Sequence, residues 1–341
     1  MRLTRTAALQ PIKEWQANDL DSFDEQVVAT DQPAIIRSLV SDWPAVVASK
    51  SSATEICHYL RNFDKGQAVY TIAAPPEADG RFFYNNDLRS VNFKRGQIPL
   101  AQVLAQLVAS VDATDAHAIA VQALAVRQCL PDFDTDNSMS LLPIDVEPTM
   151  WIGTRGRVSP HYDVHKNLAC VVAGRRRFTL FPPEQIANLY PGPVLDAPGG
   201  VPISLVDVDA PDLDRFPRYT TALEHAQQAT LDPGDAIFIP SLWWHGVAAL
   251  EPVNVLVNYW WGGDAEAGIS ANDTLLHGML TIAALEPAQR DAWKQFFDYY
   301  VFGGEIDPAA HLPDELPDIV TNLTDEQLAS VKRFLAQRLA D

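Results

Sequence analysis

Three side chains of metal-binding type stand at positions that a β-rich fold can bring together. His161 and Asp163 form an H-x-D motif, and residues i and i+2 of a β-strand point to the same face of its sheet. The third candidate, His245, comes at the end of another apolar, strand-like segment. Two imidazoles and one carboxylate on one face of a metal leave three coordination positions open, as in the facial triad of non-haem Fe(II) sites. The spacing therefore predicts an iron site formed by His161, Asp163 and His245.

The context of the H-x-D motif carries more information than the motif alone. A single His or Asp more often has a surface or structural role. Here two apolar strands, at 168–173 and 178–181, follow the motif, and a G-D-x-x-x-x-P segment at 234–240 precedes the second histidine. His165 is a rival ligand, because it lies two residues beyond Asp163 on the same expected strand face. A pocket or surface position is its other interpretation.

Several segments resemble the JmjC/cupin-8 family of Fe(II)- and 2-oxoglutarate-dependent oxygenases, including its protein hydroxylases and bacterial cupin-like members. The residues that carry the resemblance are His161-Tyr-Asp163, Asn167, GRRRFTLFPP at 174–183, PGDAIFIPSLWWH at 233–245 and VNYW at 257–260. The resemblance implies His161, Asp163 and His245 as iron ligands, and Asn167 and Asn258 as polar groups beside the cosubstrate. It also implies Fe(II), 2-oxoglutarate and O2 as cofactor and cosubstrates.

The chain departs from the family pattern at the residues expected to bind the cosubstrate. The family usually has a lysine two residues after the glycine, where this chain has Arg176. Arginine is also able to bind the distal carboxylate of 2-oxoglutarate, because its planar fork pairs with a carboxylate through two hydrogen bonds. Family members often have a Ser or Thr three residues before the first histidine. In this chain that position is Val158, and Ser159, one residue later, is the candidate cosubstrate-binding hydroxyl. A family tyrosine would fall near Ala120.

The neighbours of these positions leave alternatives open. Gln122 either faces the pocket or packs at the edge of a turn. Arg175 and Arg177 flank Arg176 and should project to the opposite, solvated face of their strand.

Composition narrows the classes of partner. The chain has 341 residues and a net charge of −19, whereas a nucleic-acid-binding domain would present a basic face. Neither a signal-peptide core nor a run of about 18 apolar residues occurs, so we expect no membrane span. Three widely spaced cysteines without a C-x-x-C motif indicate reduced thiols and a cytoplasmic protein.

The order of apolar patterns predicts the fold. Short strands separated by Gly and Pro turns run from 118 to 261 and are typical of a double-stranded β-helix, the cupin or jelly-roll core. The predicted class is mainly β with helices. Its predicted parts are an N-terminal α/β segment at 1–115, the catalytic barrel at 116–264 and a C-terminal helical region at 265–341.

Shorter elements complete this prediction. Strands are expected at 33–36, 68–73 and 81–84. Helices are expected to start near Ser22, capped with Glu25, near Ser52 and after Pro99, while Trp43-Pro44 is expected to form a turn.

Two segments outside the barrel core suggest interactions. The Pro- and Asp-rich stretch at 191–217 is long for a loop inside a compact fold, and we expect it to flank the mouth of the site. Its aspartates are either an attraction for a basic substrate or an ordinary solvated surface; they are Asp207, Asp209, Asp212 and Asp214. The C-terminal helices carry an aromatic stripe that either packs on the barrel or forms a homodimer interface.

The sequence thus predicts an Fe(II)/2-oxoglutarate-dependent hydroxylase acting on a C–H bond of a protein side chain, a peptide or a small molecule. One alternative is a 2-oxoglutarate-independent metal cupin or a non-catalytic binding module. Another is a structural partner in a larger assembly that relies on the helical tail.

Overall fold

The chain divides into two compact units, residues 1–263 and 264–341, which are described separately. The computed structural model describes residues 9–113, 116–195, 197–198, 200–263, 270–313, 316, 318–321 and 323–340.

The first unit is built around two β-sheets. Its strands in the described residues are β1 Lys13–Gln16, β2 Ala34–Arg37, β3 Ala68–Ala74, β4 Lys94–Pro99, β5 Ala118–Ala125, β6 Pro148–Gly153, β7 Gly156–His161, β8 Lys166–Ala173, β9 Arg176–Phe181, β10 Gln227–Leu231, β11 Ala236–Ile239, β12 Trp244–Ala249 and β13 Asn254–Trp261. The major sheet has the order β1-β2-β11-β8-β13-β6-β5-β3-β4, and the minor sheet has the order β10-β9-β12-β7. The predicted jelly-roll core is therefore confirmed, and the N-terminal strands extend its larger sheet.

Strand β8 explains why the sequence shows a continuous apolar run there. Leu168, Cys170 and Val172 belong to the core under the helices, on the outer face of the major sheet. Ala169 and Val171 alternate with them and belong to the core that β9 also lines, between the two sheets. Because a strand has a period of two, a strand buried on both faces is apolar at every position.

In the first unit most helices cover the outer face of the major sheet, the helix Tyr219–Glu224 packs against residues of the minor sheet, and further helices form the second unit. They are α1 Phe23–Gln26, α2 Pro44–Ser51, α3 Ala53–Phe63, α4 Leu100–Ser110, α5 Val126–Cys129, α6 Phe133–Asp136, α7 Tyr219–Glu224, α8 Ala271–Thr281, α9 Pro287–Tyr300 and α10 Asp325–Ala340. The predicted helix after Pro99 is α4, and its buried side chains keep the i, i+3, i+4, i+7 spacing; they are Leu100, Val103, Leu104 and Leu107.

Three local predictions need correction. Residues 81–84 form no strand and only isolated bridges, at Arg81 and Tyr84. Trp43-Pro44 is not merely a turn, because proline at the first helical position, with its fixed φ, starts α2. Ser22 caps the Glu25 backbone N–H as predicted, but the reciprocal bond comes from the side chain of Gln26.

The turn before β11 explains the G-D-x-x-x-x-P pattern. The Asp235 carboxylate accepts hydrogen bonds from the backbone N–H groups of Ser38 and Asp232 and pairs with Arg37 at 2.7 Å. Gly234 has φ +107°, and a Cβ there would lie 2.4 Å from Oγ of Ser41. The pattern is therefore structural: it fixes β11 in the sheet.

The second unit presents apolar side chains outward. No residue of α8 or α9, both fully described, is buried within it. A capping box begins α10, because the side chains of Thr324 and Gln327 each accept a hydrogen bond from the other's backbone N–H. Among the described residues of the whole chain, no helix is long and apolar enough to cross a membrane.

Candidate metal centre

The three candidate ligands come from the ends of neighbouring strands. His161 is the last residue of β7, and Asp163 follows in the connection to β8. His245 is the second residue of β12 and is paired with His161 in the antiparallel ladder. Two details of the prediction are therefore wrong: Asp163 is outside the strand, and His245 begins a strand instead of ending one. The H-x-D backbone leaves the sheet here, and this places the carboxylate beside the paired imidazoles.

The geometry of the three side chains fits one shared ion. One ligand atom from each of His161, Asp163 and His245 lies within 4.8 Å of the others. The two imidazole centroids are 4.3 Å apart, and His245 Nε2 lies 3.6 Å from Asp163 Oδ2. Nitrogen and carboxylate ligands bind transition metals at about 2.0–2.2 Å, so three donors at these separations can reach one ion.

Backbone contacts orient both imidazoles toward the same point. His161 Nδ1 lies 3.1 Å from the carbonyl of Ser159, and His245 Nδ1 lies 3.0 Å from the carbonyl of Trp243. A carbonyl only accepts hydrogen bonds, so each Nδ1 carries the proton and each Nε2 keeps its lone pair for a metal. Burial, reinforced by His161 and opposed by Asp163 and the Trp243 carbonyl, lowers the pKa of His245 to about 4. This imidazole is therefore neutral at physiological pH, as a ligand must be.

Asp163 is held as a carboxylate. Burial alone would raise its pKa, but the two imidazoles outweigh this effect and lower it. Hydrogen bonds from Trp260 Nε1 at 3.1 Å and Asn167 Nδ2 at 3.3 Å act in the same direction. The bond of Trp260 to Asp163 was not predicted from the sequence. The available signal was the spacing, because Asn258 and Trp260 share one face of β13.

A buried amide pair extends from the carboxylate. Asn258 Nδ2 donates to Asn167 Oδ1 at 2.6 Å, and Asn167 in turn donates to Asp163. Oδ1 of Asn258 is buried and has no hydrogen-bond partner within the described part of the chain. A buried acceptor without a donor is rare in native proteins, so this atom indicates room for a further polar group.

The triad opens into a cavity of about 460 Å³ between the two sheets. Its lining includes Ser159 and Phe178 from the minor sheet and Trp151 and Leu256 from the major sheet. This volume is in the range of small-molecule sites.

Arg176, the first residue of β9, lines the same cavity. Its Nε is buried without a hydrogen-bond partner, and its guanidinium forms no ion pair with any described residue. Burial lowers its pKa to about 10, so it remains charged at neutral pH. The flanking side chains point elsewhere, since Arg175 pairs with Glu251 at 2.8 Å and Arg177 pairs with Asp209. A buried cation without a partner fits an anionic ligand group.

A β-bulge brings Gln122 to the cavity. The pairing of β5 with β6 shifts register between Val121 and Leu124, and Ala123 has φ +45°. Bulges next to sites redirect side chains, and here Gln122 lines the cavity beside Ala120. His165 also lines it, but the group whose donors converge contains His161, Asp163 and His245.

The 191–217 segment flanks the cavity as predicted, with Val201 and Ile203 in its lining. Two of its four aspartates, Asp207 and Asp209, pair with arginines, whereas Asp212 and Asp214 are exposed. Asp207 lies within 3.5 Å of guanidinium nitrogens of both Arg81 and Arg157, and Asp209 pairs with Arg157 and Arg177. Asp207 and Asp209 thus fasten the segment to the barrel.

We expect Asp209→Asn to loosen this fastening, because it leaves two arginines with one carboxylate fewer. A partly exposed pair in a network contributes about 1 kcal/mol, which corresponds to roughly fivefold more frequent opening. Trypsin cleavage after the exposed Arg215, followed by mass spectrometry, measures the opening. Glu251→Gln, which breaks the Arg175 pair elsewhere, is the control. Equal cleavage rates in the two variants would contradict the fastening.

Two facing sheets with a His-Asp-His group opening into the cavity between them define a cupin-type protein with a candidate metal centre. A family model described as a cupin-like domain matches residues 20–266. The chain belongs to this cupin-like family, whose relatives include JmjC-domain proteins of the oxygenase class.

Curated relatives match parts of the chain. Human HSPB1-associated protein 1 is 43% identical over 116 residues, which are 33% of this chain and 23% of the human protein. Lysine-specific demethylase JMJ31 of Arabidopsis thaliana is 41% identical over 112 residues, 33% of this chain and 20% of that protein. Jumonji C domain-containing protein 5 of Drosophila melanogaster is 27% identical over 274 residues, 76% of this chain and 62% of the fly protein. The chain therefore covers less than two thirds of each of these relatives.

Proposed function

We propose that the protein is an Fe(II)- and 2-oxoglutarate-dependent oxygenase that hydroxylates a C–H bond of a protein side chain, a peptide or a small molecule. The observation that carries this proposal is Arg176, which lines the cavity that holds the triad with its Nε buried and has no carboxylate partner among the described residues. A metal cupin that binds no dicarboxylate has no reason to keep this charge, because an unpaired buried charge destabilises a fold.

The residues of the chain have separate tasks in this proposal. His161, Asp163 and His245 hold the ion and leave one side of it open, and bound iron with 2-oxoglutarate and O2 supplies the oxidising chemistry. Arg176 binds the distal carboxylate of 2-oxoglutarate through its planar fork and thereby fixes the orientation of the keto acid.

Polar neighbours position the ligands and the cosubstrate. Asn167 and Trp260 hold the Asp163 carboxylate by their hydrogen bonds. Asn258 orients Asn167 and keeps its Oδ1 as an acceptor for a hydrogen-bond donor, such as an N–H or O–H group of the substrate. The Ser159 carbonyl fixes the ring of His161, and its side chain lies at the cavity, where its hydroxyl suits a cosubstrate carboxylate. Loss of such supporting bonds typically lowers metal affinity or activity about 10- to 100-fold.

The direct test is release of succinate from 2-oxoglutarate by the purified protein with Fe(II) in air. We expect 2-oxoglutarate consumption that requires both the metal and O2, even before a substrate is identified. The alternative, a 2-oxoglutarate-independent metal cupin or a binding module, predicts metal binding without succinate. Metal binding with no 2-oxoglutarate turnover would therefore overturn the proposal in favour of that alternative.

The names of the relatives suggest classes of substrate for the proposed reaction. Of the relatives described above, one is named as a lysine-specific demethylase and one as a protein associated with HSPB1. These names favour a protein or peptide substrate for this chain within the proposed reaction class.

We also propose that the second unit forms a homodimer. Trp293, Phe296 and Tyr300 lie on one face of α9 with the spacing i, i+3, i+7, and each is 45–58% exposed. Exposed apolar patches of this kind mark association sites, and the isologous contact of a two-fold dimer covers the same patch on both copies.

We expect light scattering coupled to size exclusion to give twice the chain mass at micromolar concentration. Phe296→Asp is expected to give a monomer, because it places a charge in the interface. Ile144→Asp, at an exposed loop position of the first unit, is the control. A wild-type monomer would rule the dimer out.

A further inference from the structure

The charges of the cavity lining contrast with the charge of the whole protein. The chain carries a net charge of −19, but among the described residues that line the cavity Asp163 is the only carboxylate. In the proposed function this carboxylate is a metal ligand. The lining also contains two guanidinium groups, Arg157 and Arg176.

Neither arginine makes the cavity attractive to a second anion once 2-oxoglutarate occupies Arg176. Arg157 already has carboxylates of Asp79, Asp207 and Asp209 at 3.1, 3.3 and 3.6 Å. Its charge is compensated on the outer side, where these aspartates lie beyond the lining of the cavity. The remaining lining is mostly apolar, with Val158, Ile203 and Val247 as examples.

The aromatic rings of the lining do not replace a carboxylate. Trp151 and Trp260 pack edge to face with centroids 6.2 Å apart, and Phe82 and Phe93 do so at 5.8 Å. In each pair one ring face is covered by the edge of the other ring. A cation–π contact contributes about 0.5–2 kcal/mol, whereas burying an ion without a counter-ion costs several kcal/mol.

We infer that the cavity selects an uncharged, largely apolar group of the substrate and excludes a cationic one, the charge state of lysine and its methylated forms. The inference rests on the proposed function, because the bound metal and 2-oxoglutarate complete the charge balance. It separates this chain from the lysine substrate that the Arabidopsis thaliana relative carries in its name.

The test compares two probes that differ only in charge. One is N-acetyl-trimethyllysine amide, and the other is its analogue with carbon in place of the quaternary nitrogen. Both end in nine equivalent methyl protons, whose relaxation is enhanced by a nearby paramagnetic ion. The protein is loaded with Mn(II), which suits the same nitrogen and carboxylate donors, together with 2-oxoglutarate. Protein loaded with Zn(II) gives the diamagnetic background.

We expect the uncharged probe to bind at least about tenfold more tightly than the cation, a difference of about 1.4 kcal/mol. The inference is overturned if the relaxation of both probes is enhanced equally, if neither is enhanced, or if the cation binds more tightly. Relaxation of the 2-oxoglutarate protons reads out the proposed function separately. If 2-oxoglutarate is not enhanced the function fails, and if it is enhanced while the cation binds equally well only this inference fails.

A charge-introducing variant tests the cause. Val158 lines the cavity and is 45% exposed, so Val158→Glu adds a carboxylate at a position that tolerates it. We expect affinity for the cationic probe to rise about tenfold in this variant. Val47→Glu, at a 55% exposed position of α2, is the matched control and should change nothing. An unchanged preference in Val158→Glu overturns the electrostatic explanation.

Discussion

Replacing Asp163 by alanine is expected to reduce 2-oxoglutarate-dependent succinate release to the background of metal-free protein. Asp163 is the only anionic member of the triad, and without it two neutral imidazoles remain to hold a divalent cation. The measurement is succinate release together with the iron content of the protein after equilibration with Fe(II).

Folding must be separated from metal binding in this variant. Trp260 and Asn167 lose their common acceptor, and a buried donor left without a partner costs about 1–3 kcal/mol. A lower melting temperature with an intact circular dichroism spectrum is therefore expected. His225→Ala, at an exposed position after α7, is the control and should keep full activity. Iron retention and turnover in Asp163→Ala would refute the assignment of the metal centre.

Replacing Arg176 by methionine is expected to move activity and stability in opposite directions. The apparent KM for 2-oxoglutarate should rise roughly a hundredfold, since a charge-assisted bidentate pair contributes about 3 kcal/mol. Arg176→Lys keeps a point charge but loses the planar fork, and we expect a rise of about tenfold.

The stability effect has the reverse sign in the ligand-free protein. The lowered pKa of Arg176 reflects burial, which disfavours the charged form and so destabilises the ligand-free protein. Replacing an unpaired buried charge by an apolar side chain of similar length should therefore raise the free energy of unfolding by about 1–3 kcal/mol. Thermal unfolding with and without 2-oxoglutarate measures both effects, because the ligand should stabilise the wild type and leave the methionine variant unchanged.

The neighbouring arginine provides the control. Arg175 is exposed, pairs with Glu251 and points away from the cavity, so Arg175→Met should alter neither KM nor the response to 2-oxoglutarate. If Arg176→Met retained wild-type affinity for 2-oxoglutarate, the cosubstrate assignment would be wrong even with an intact metal centre.

Much of the barrel was predictable because its strands obey simple periodicity. The apolar run of β8, the helix after Pro99 and the G-D turn each reflect a local rule of spacing or turn chemistry. The prediction for 81–84 failed because a run of aromatic residues indicates strand propensity, while strand formation also needs a neighbouring strand edge with which to pair. There, only isolated bridges form.

The candidate site also combines features that local sequence predicts with features that depend on tertiary contacts. The H-x-D motif and the distant histidine identified the ligand set, since their donor types suit iron whatever the exact backbone. Where Asp163 leaves the strand and how Trp260 reaches its carboxylate depend on the packing of β13 against β8. The bulge that brings Gln122 to the cavity likewise arises from the mismatch of β5 with β6.

The sequence by itself determined the jelly-roll class, the family and the candidate donors His161, Asp163 and His245, because residue type and period are local properties. Only the tertiary structure decided which charges are compensated. From the sequence, Asp207 and Asp209 could attract a basic substrate. In the structure, both form ion pairs with arginines from other elements. The resemblance alone assigned Arg176 to the cosubstrate. The structure added that Arg176 lines the cavity of the triad, with its Nε buried and no ion-pair partner among the described residues. The physical reason is that the free energy of a charge depends on its neighbours and its burial, and both are set by contacts between residues far apart in the chain.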